Sequence, residues 1–172
     1  MSSDAAAVEP RRWAAFAKSI AVTLGWVVAA AALLSWVGSK RPPERLPAQP
    51  IVSISTGQTF TLTELSGQPT LLYFWATWCG ACGIAEPVVA DFSRRHPNVR
   101  VVAVATESVG VVRRAIDAKP PPYEVALADK SILSVLGVTA FPTCIAIDSQ
   151  GRPMWMRSGV PVPGELDLQS GL

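Results

Sequence analysis

The stretch Thr70–Cys82, TLLYFWATWCGAC, decides the fold. Thr70–Ala76 is a continuous, mostly apolar run of the kind shown by a strand buried on both faces. Directly after it, Cys79-Gly80-Ala81-Cys82 opens a segment that predicts a helix from about Cys79 towards Arg95. The N–H groups at a helix start have no intrahelical partner and carry partial positive charge. A cysteine placed there ionises near neutral pH, with pKa values of roughly 3.5–7.5. Two intervening residues bring the second sulfur close enough to displace whatever the first has captured. Gly80 and Ala81 are small and leave the first sulfur accessible, and Trp78 offers a flat apolar wall to a substrate chain.

Outward from this stretch, strands and helices alternate. Gln58–Leu62 predicts a short strand after the Thr56-Gly57 turn, and Val99–Ala105 a second buried strand. Val109–Ala118 predicts a helix ended by Pro120-Pro121-Pro122. Tyr123–Ala128 predicts a strand, Ser131–Leu136 a short helix closed by Gly137, and Thr143–Ile147 another strand. A turn at Ser149-Gln150-Gly151 leads into a strand over Pro153–Arg157, and Pro161–Leu168 predicts a last short helix. This alternation implies an α/β fold with a mixed central sheet and helices on both faces.

Upstream, residues 19–39 (SIAVTLGWVVAAAALLSWVGS) hold 21 residues without a charge. As a helix they would reach about 31 Å, one hydrocarbon core. They are read as a single transmembrane anchor rather than a cleaved signal peptide. The apolar part of a signal peptide is usually about 7–15 residues and is followed by a small-residue cleavage site, and none follows Leu34. The organisation expected is therefore a tail at 1–18, an anchor at 19–39, a Pro-rich linker at 40–50 and a globular domain at 51–172. Arg11, Arg12 and Lys18 before the span balance Lys40, Arg41 and Arg45 after it, so charge alone does not orient it. A short N-terminus before one span usually exports the downstream domain, which puts the C-terminal domain outside the cytoplasm. The chain is 49% hydrophobic and 16% charged with a net charge of +2. Its basic residues form no patch, which argues against nucleic-acid binding.

The cysteine pair has a concrete mechanism open to it. A Cys79 thiolate attacks a substrate disulfide, and Cys82 then attacks the Cys79 sulfur and releases the reduced substrate; oxidation runs in reverse. Three other readings stay open at this point: a structural disulfide, half of a zinc site, and a Cu(I) site favoured by soft thiolates. Zinc usually needs four ligands, and only Cys144 and His96 remain, without paired spacing. No metal and no cofactor are expected. Cys144 lies in an apolar run and is expected in the core. His96 is expected to be a solvated cation at a helix end.

The string Tyr73-Phe74-Trp75-Ala76-Thr77-Trp78-Cys79-Gly80-Ala81-Cys82, with Pro87 after it, resembles the active-site segment of the thioredoxin superfamily. Phe141-Pro142-Thr143 resembles that family's cis-proline loop. With the N-terminal anchor, the chain is similar to the membrane-tethered TlpA/ResA-like group, especially the suppressor-of-copper-sensitivity D type. The resemblance covers about residues 51–160. It implies a thioredoxin-like fold and a Cys79–Cys82 redox disulfide, with Cys79 the exposed nucleophile and Cys82 the more buried resolving thiol. It also implies a cis bond at Phe141–Pro142, with Trp78, Phe141, Pro142 and Thr143 meeting the substrate's extended chain. Protein thiols or disulfides would be the substrates and a membrane electron carrier the partner. The setting would be the bacterial inner membrane, single-pass, with the domain in the periplasm. A copper-handling or metal-delivery module using the same cysteines is the alternative. The sequence departs from the family at two points. Tyr73 lies where many thioredoxins carry a buried Asp, and Ala85 where tethered members often carry Glu. Glu86 is the nearest carboxylate, read first as a solvated acid in the first turn of the helix and second as a proton acceptor for Cys82.

Overall fold

The structure, a computed structural model, describes residues 20–29, 39–40 and 42–169. The chain divides into two units, residues 1–38 and residues 39–172. In the first, residues 20–29 form helix α1, with Ile20, Val22, Leu24, Trp26, Val27 and Val28 exposed. At 1.5 Å per residue the ten described residues span about 15 Å, half a hydrocarbon core. Among the described residues no helix is long and apolar enough to cross a membrane. Of the expected anchor at 19–39, residues 19 and 30–38 lie outside the described residues. Its last residue, Ser39, is not helical: Ser39–Lys40 form strand β1.

The second unit is built on one eight-stranded sheet. Its other strands are β2 (Pro50–Ser53), β3 (Thr59–Thr61), β4 (Thr70–Phe74), β5 (Arg100–Ala105), β6 (Glu124–Ala128), β7 (Thr143–Ile147) and β8 (Pro153–Ser158). The spatial order is β1-β8-β7-β4-β5-β6-β2-β3. Strands β4, β5 and β6 pair in parallel, and the remaining pairs are antiparallel. The helices are α2 (Gly80–Arg95), α3 (Val109–Ala118), α4 (Ser131–Val135) and α5 (Glu165–Gln169), with a 3-10 turn at Leu62–Leu65.

Alternation along β4 explains why its run is apolar without a break. Leu72 and Phe74 point into a core that includes Leu62, Leu65, Ile132 and Leu136, from the 3-10 turn and the α4 region. Leu71 and Tyr73 point the other way, into a core closed by Ala85, Val89 and Phe92 of α2, Val112 of α3 and Leu166 of α5. All five β4 residues are buried, as two covered faces require. On α2 the buried positions Cys82, Ala85, Val89 and Phe92 recur at the three-and-four spacing of one helical stripe. Pro87 is accommodated inside this helix, and His96 caps its end just before Pro97.

The stretch read as a spacer is held to the domain. Ser39 and Lys40 pair with Arg157 and Met156 of β8, Leu46 is buried in the core, and Pro50 begins β2. Residue 41 lies outside the described residues.

Candidate active site

Strands β4 and β5 run in parallel register, with Phe74 opposite Val104. Their C-terminal ends therefore open onto one edge of the sheet, where open α/β sheets gather functional groups. After Phe74 the backbone makes a turn closed by Cys79 N–H donating to the Ala76 carbonyl at 3.1 Å, and α2 begins. Cys79 is the N-cap of α2. Its sulfur accepts the Cys82 N–H at 3.1 Å, a donor shared with the Cys79 carbonyl at 3.0 Å. Cys79 and Cys82 are joined in a disulfide with Cα atoms 5.2 Å apart. The two sulfurs differ in access: Cys82 is only 3% exposed, whereas Cys79 is half-buried.

Trp78, 72% exposed, stands beside the pair and meets Phe141 edge-on at 5.8 Å between ring centroids. The Phe141–Pro142 bond is cis. Thr143, next in the chain at the start of β7, is fully buried, its hydroxyl donating to the Ala140 carbonyl and bonding the Ser158 hydroxyl, each at 2.8 Å. Its hydroxyl is thus committed within the sheet.

A cavity of about 390 Å³ opens against the disulfide, walled by Tyr73, Trp75, Ile116 and Tyr123, with Glu86 and Lys119 contributing charge. Glu86 is not the solvated first-turn acid expected. It sits further along α2, half-buried, in an ion pair with Lys119 at the end of α3. Tyr73 gives the departure at that position a physical content. Its hydroxyl, buried under α2, donates to the Cys82 carbonyl at 3.2 Å, and its ring meets Tyr123 edge-on at 6.5 Å. Burial, reinforced by Tyr123, Cys144 and Glu86, holds that hydroxyl protonated far above the ordinary tyrosine range. Tyr73 is therefore a fixed donor and takes no proton from Cys82.

Cys144 is buried opposite Tyr73 in the sheet. Burial first, and then Glu165, push its thiol up to about 12, so it stays protonated and inert under ordinary conditions. His96 corrects another expectation. Rather than standing free in solvent, it stacks on Phe92 at 4.6 Å and places Nε2 2.5 Å from the Asp167 carboxylate. Among the described residues there is no cluster of three or more His, Cys, Asp or Glu side chains able to hold a metal.

One residue of this edge escaped the sequence reading. Glu107 follows β5 and reaches the turn before Cys79, its two carboxylate oxygens accepting the Thr77 N–H and the Thr77 hydroxyl, each at 2.7 Å. The available signal was positional. Thr77 and Glu107 stand at equal distances beyond the paired residues Phe74 and Val104, so parallel pairing brings them together.

The comparisons with known proteins agree with this architecture. The Redoxin family matches residues 44–167, most of the chain. The chain belongs to the Redoxin family. This Redoxin domain is 32% identical over 104 residues to the thiol:disulfide interchange protein DsbE of Xylella fastidiosa (strain Temecula1 / ATCC 700964), covering 56% of this chain and 50% of DsbE. The chain thus spans about half the length of that relative. Thiol-disulfide oxidoreductase ResA of Bacillus subtilis (strain 168) is 25% identical over 114 residues, 63% of each chain. The solved structure of MTB dsbF in its mixed oxidized and reduced forms matches with a TM-score of 0.64 at 28% identity, over 73% of this chain and 96% of that one.

Proposed function

We propose that the chain is a membrane-tethered thiol–disulfide oxidoreductase that exchanges disulfides with extracytoplasmic protein substrates through Cys79 and Cys82. The observation that carries this reading is the disulfide at the N-cap of α2, with the Cys82 N–H aimed at the more accessible Cys79 sulfur. That donor and the helix-start field stabilise a thiolate at Cys79, which makes it the nucleophile in one direction and the leaving group in the other.

In the reducing direction the Cys79 thiolate attacks one sulfur of a substrate disulfide. A mixed disulfide forms, the substrate S–S bond breaks, and one substrate sulfur leaves as a thiolate. Cys82, once deprotonated, attacks the Cys79 sulfur, regenerates the Cys79–Cys82 disulfide and releases the second substrate thiolate. Two electrons pass to the substrate, and a membrane electron carrier resupplies them. In the oxidising direction a substrate thiolate attacks Cys79, because Cys82 is buried, and Cys82 departs as the thiolate. Trp78 and Phe141 form the apolar wall against which the substrate chain lies, and the backbone at Pro142 provides an edge for it.

The tether rests on the uncharged run at 19–39 and on the exposed apolar side chains of α1. The domain then sits in the periplasm, held at a bacterial inner membrane.

Reduction of insulin disulfides by the full-length chain tests the exchange reading: the wild type accelerates it and Cys79→Ala does not. Equal rates for the two proteins defeat it. Copper stoichiometry under anaerobic reduction tests the alternative, with one tightly held Cu(I) per chain as the result favouring metal handling. An alkaline phosphatase reporter fused after Leu172 is expected to be active; an inactive fusion, with an active cytoplasmic reporter at the same point, defeats the periplasmic placement.

A further inference from the structure

We infer that Glu107 is a positioning residue that sets the reactivity of Cys79, acting through the turn that delivers the sulfur to the helix start. The inference rests on the thiol chemistry proposed above. Thr77 is the second residue of the turn Ala76–Cys79, which the Cys79 N–H closes onto the Ala76 carbonyl. Glu107 grips that residue twice, through backbone and side chain, at 2.7 Å each. A carboxylate bound in this bidentate way ties the turn to the end of β5, a strand buried along most of its length. The turn itself is exposed at Thr77 and Trp78, so apolar packing does little to fix it there.

The grip also places a negative charge in the turn that carries Cys79. Two effects then oppose each other at the sulfur. The start of α2 and the Cys82 N–H favour the thiolate, while a like charge nearby disfavours it. Among the described residues that line the cavity beside Cys79, the other ionisable groups are paired or neutral. Glu86 of α2 is paired with Lys119 at the end of α3. Tyr73 of β4 and Tyr123 beside β6 are kept neutral, both chiefly by burial. The Phe141–Pro142 loop brings an aromatic ring and no charge. Glu107 is thus the carboxylate that restrains ionisation of Cys79. It tilts the pair towards the thiol form and so towards a more strongly reducing couple.

The experiment follows the rate of Cys79 alkylation by iodoacetamide against pH in the reduced full-length chain, with the modified cysteine identified by mass spectrometry. Three proteins are compared: wild type, Glu107→Gln and Glu107→Asp. The glutamine variant keeps an acceptor for the Thr77 N–H and loses the charge. Its reactivity midpoint is expected to fall by about half a pH unit, which is roughly a threefold faster rate below the midpoint. The aspartate variant keeps the charge and is expected to hold the midpoint near that of the wild type. An unchanged or raised midpoint in Glu107→Gln overturns the inference. So does an equal shift in both variants, which would mark Glu107 as a tether without electrostatic effect. Because the glutamine side chain is nearly isosteric, folding is preserved and the outcome is read on native protein. Failure of wild-type Cys79 to react at all would strike the proposed function itself, which is a separate result.

Discussion

The two ends of α2 solve opposite problems with the same sixteen residues. At its C-terminal end the helix is locked. Phe92 is fully buried and stacked on His96, while Arg95 and His96 converge on Asp167 of α5 and Arg95 also holds Asp91. At its N-terminal end the helix is left open. Gly80 and Ala81 are exposed, a Cβ at Gly83 would meet no neighbour, and the first sulfur is reachable. Fixation there comes from a few polar contacts: the Tyr73 hydroxyl under the Cys82 carbonyl and the Glu107 carboxylate on Thr77. A reactive group has to be both accessible and well aimed. The molecule separates these demands by anchoring the helix at one end with apolar burial and steering it at the other with hydrogen bonds.

Substitutions at the two ends should therefore part company. The largest effect is expected from Cys79→Ala, which removes the nucleophile. Insulin reduction should fall to the uncatalysed rate, while a urea melt of the variant, compared with reduced wild type, shows the fold intact. Next comes Phe92→Ala at the locked end. Emptying a fully buried aromatic site costs about 3–5 kcal/mol, read from urea denaturation, and the pH profile of Cys79 alkylation in the remaining folded protein should not move. A normal melt for this variant would break the contrast. Tyr73→Phe, at the steered end, removes the hydroxyl's bond to the Cys82 carbonyl, which keeps its place in the α2 ladder, at a cost of about 0.5–1.5 kcal/mol. Here the cost should be accompanied by a changed alkylation rate, which the Phe92 variant lacks.

The smallest effect belongs to Asp167→Asn. Hydrogen bonds from Arg95 first, and then from His96, hold the Asp167 carboxyl below the usual carboxylate range. A depressed folded-state value means stability that is present above the unfolded pKa and lost as pH falls through the folded one. The asparagine variant should therefore be less stable than wild type at neutral pH, by less than about 1 kcal/mol for a pair this exposed. The gap should close in acid below about pH 4, the ordinary carboxylate range. A gap that widens in acid would contradict the assignment.

Much of this arrangement could be read from residue order. The apolar run at Thr70–Phe74 declared a strand covered on both faces, and the cysteines after it declared a helix start, because both signals are local. Helix α3 falls at Val109–Ala118 as read, where the proline triplet ends it. The cis bond at Phe141–Pro142 was legible only through a resemblance, since nothing in a Phe-Pro pair by itself selects it. The features that could not be read depend on partners distant in sequence. Leu46 lies in the Pro-rich stretch, and its burial depends on core residues far along the chain, such as Met156. His96 looked solvated because Asp167 lies 71 positions away. The contact of Glu107 with Thr77 depends on the register between β4 and β5. Thr143 stood next to the cis bond in sequence, but alternation along β7 turns its hydroxyl into the sheet.

The pairing of Ser39–Lys40 with β8 matters for self-association. An outer strand with open backbone groups is a template for another chain, and β8 carries the exposed Met154 near that margin. The two-residue strand occupies the backbone positions at Met156 and Arg157. A fragment trimmed to begin at Pro42 would leave that ladder vacant and present it to neighbouring molecules. The start chosen for a shortened protein therefore bears on whether it stays monodisperse, quite apart from any effect on its chemistry.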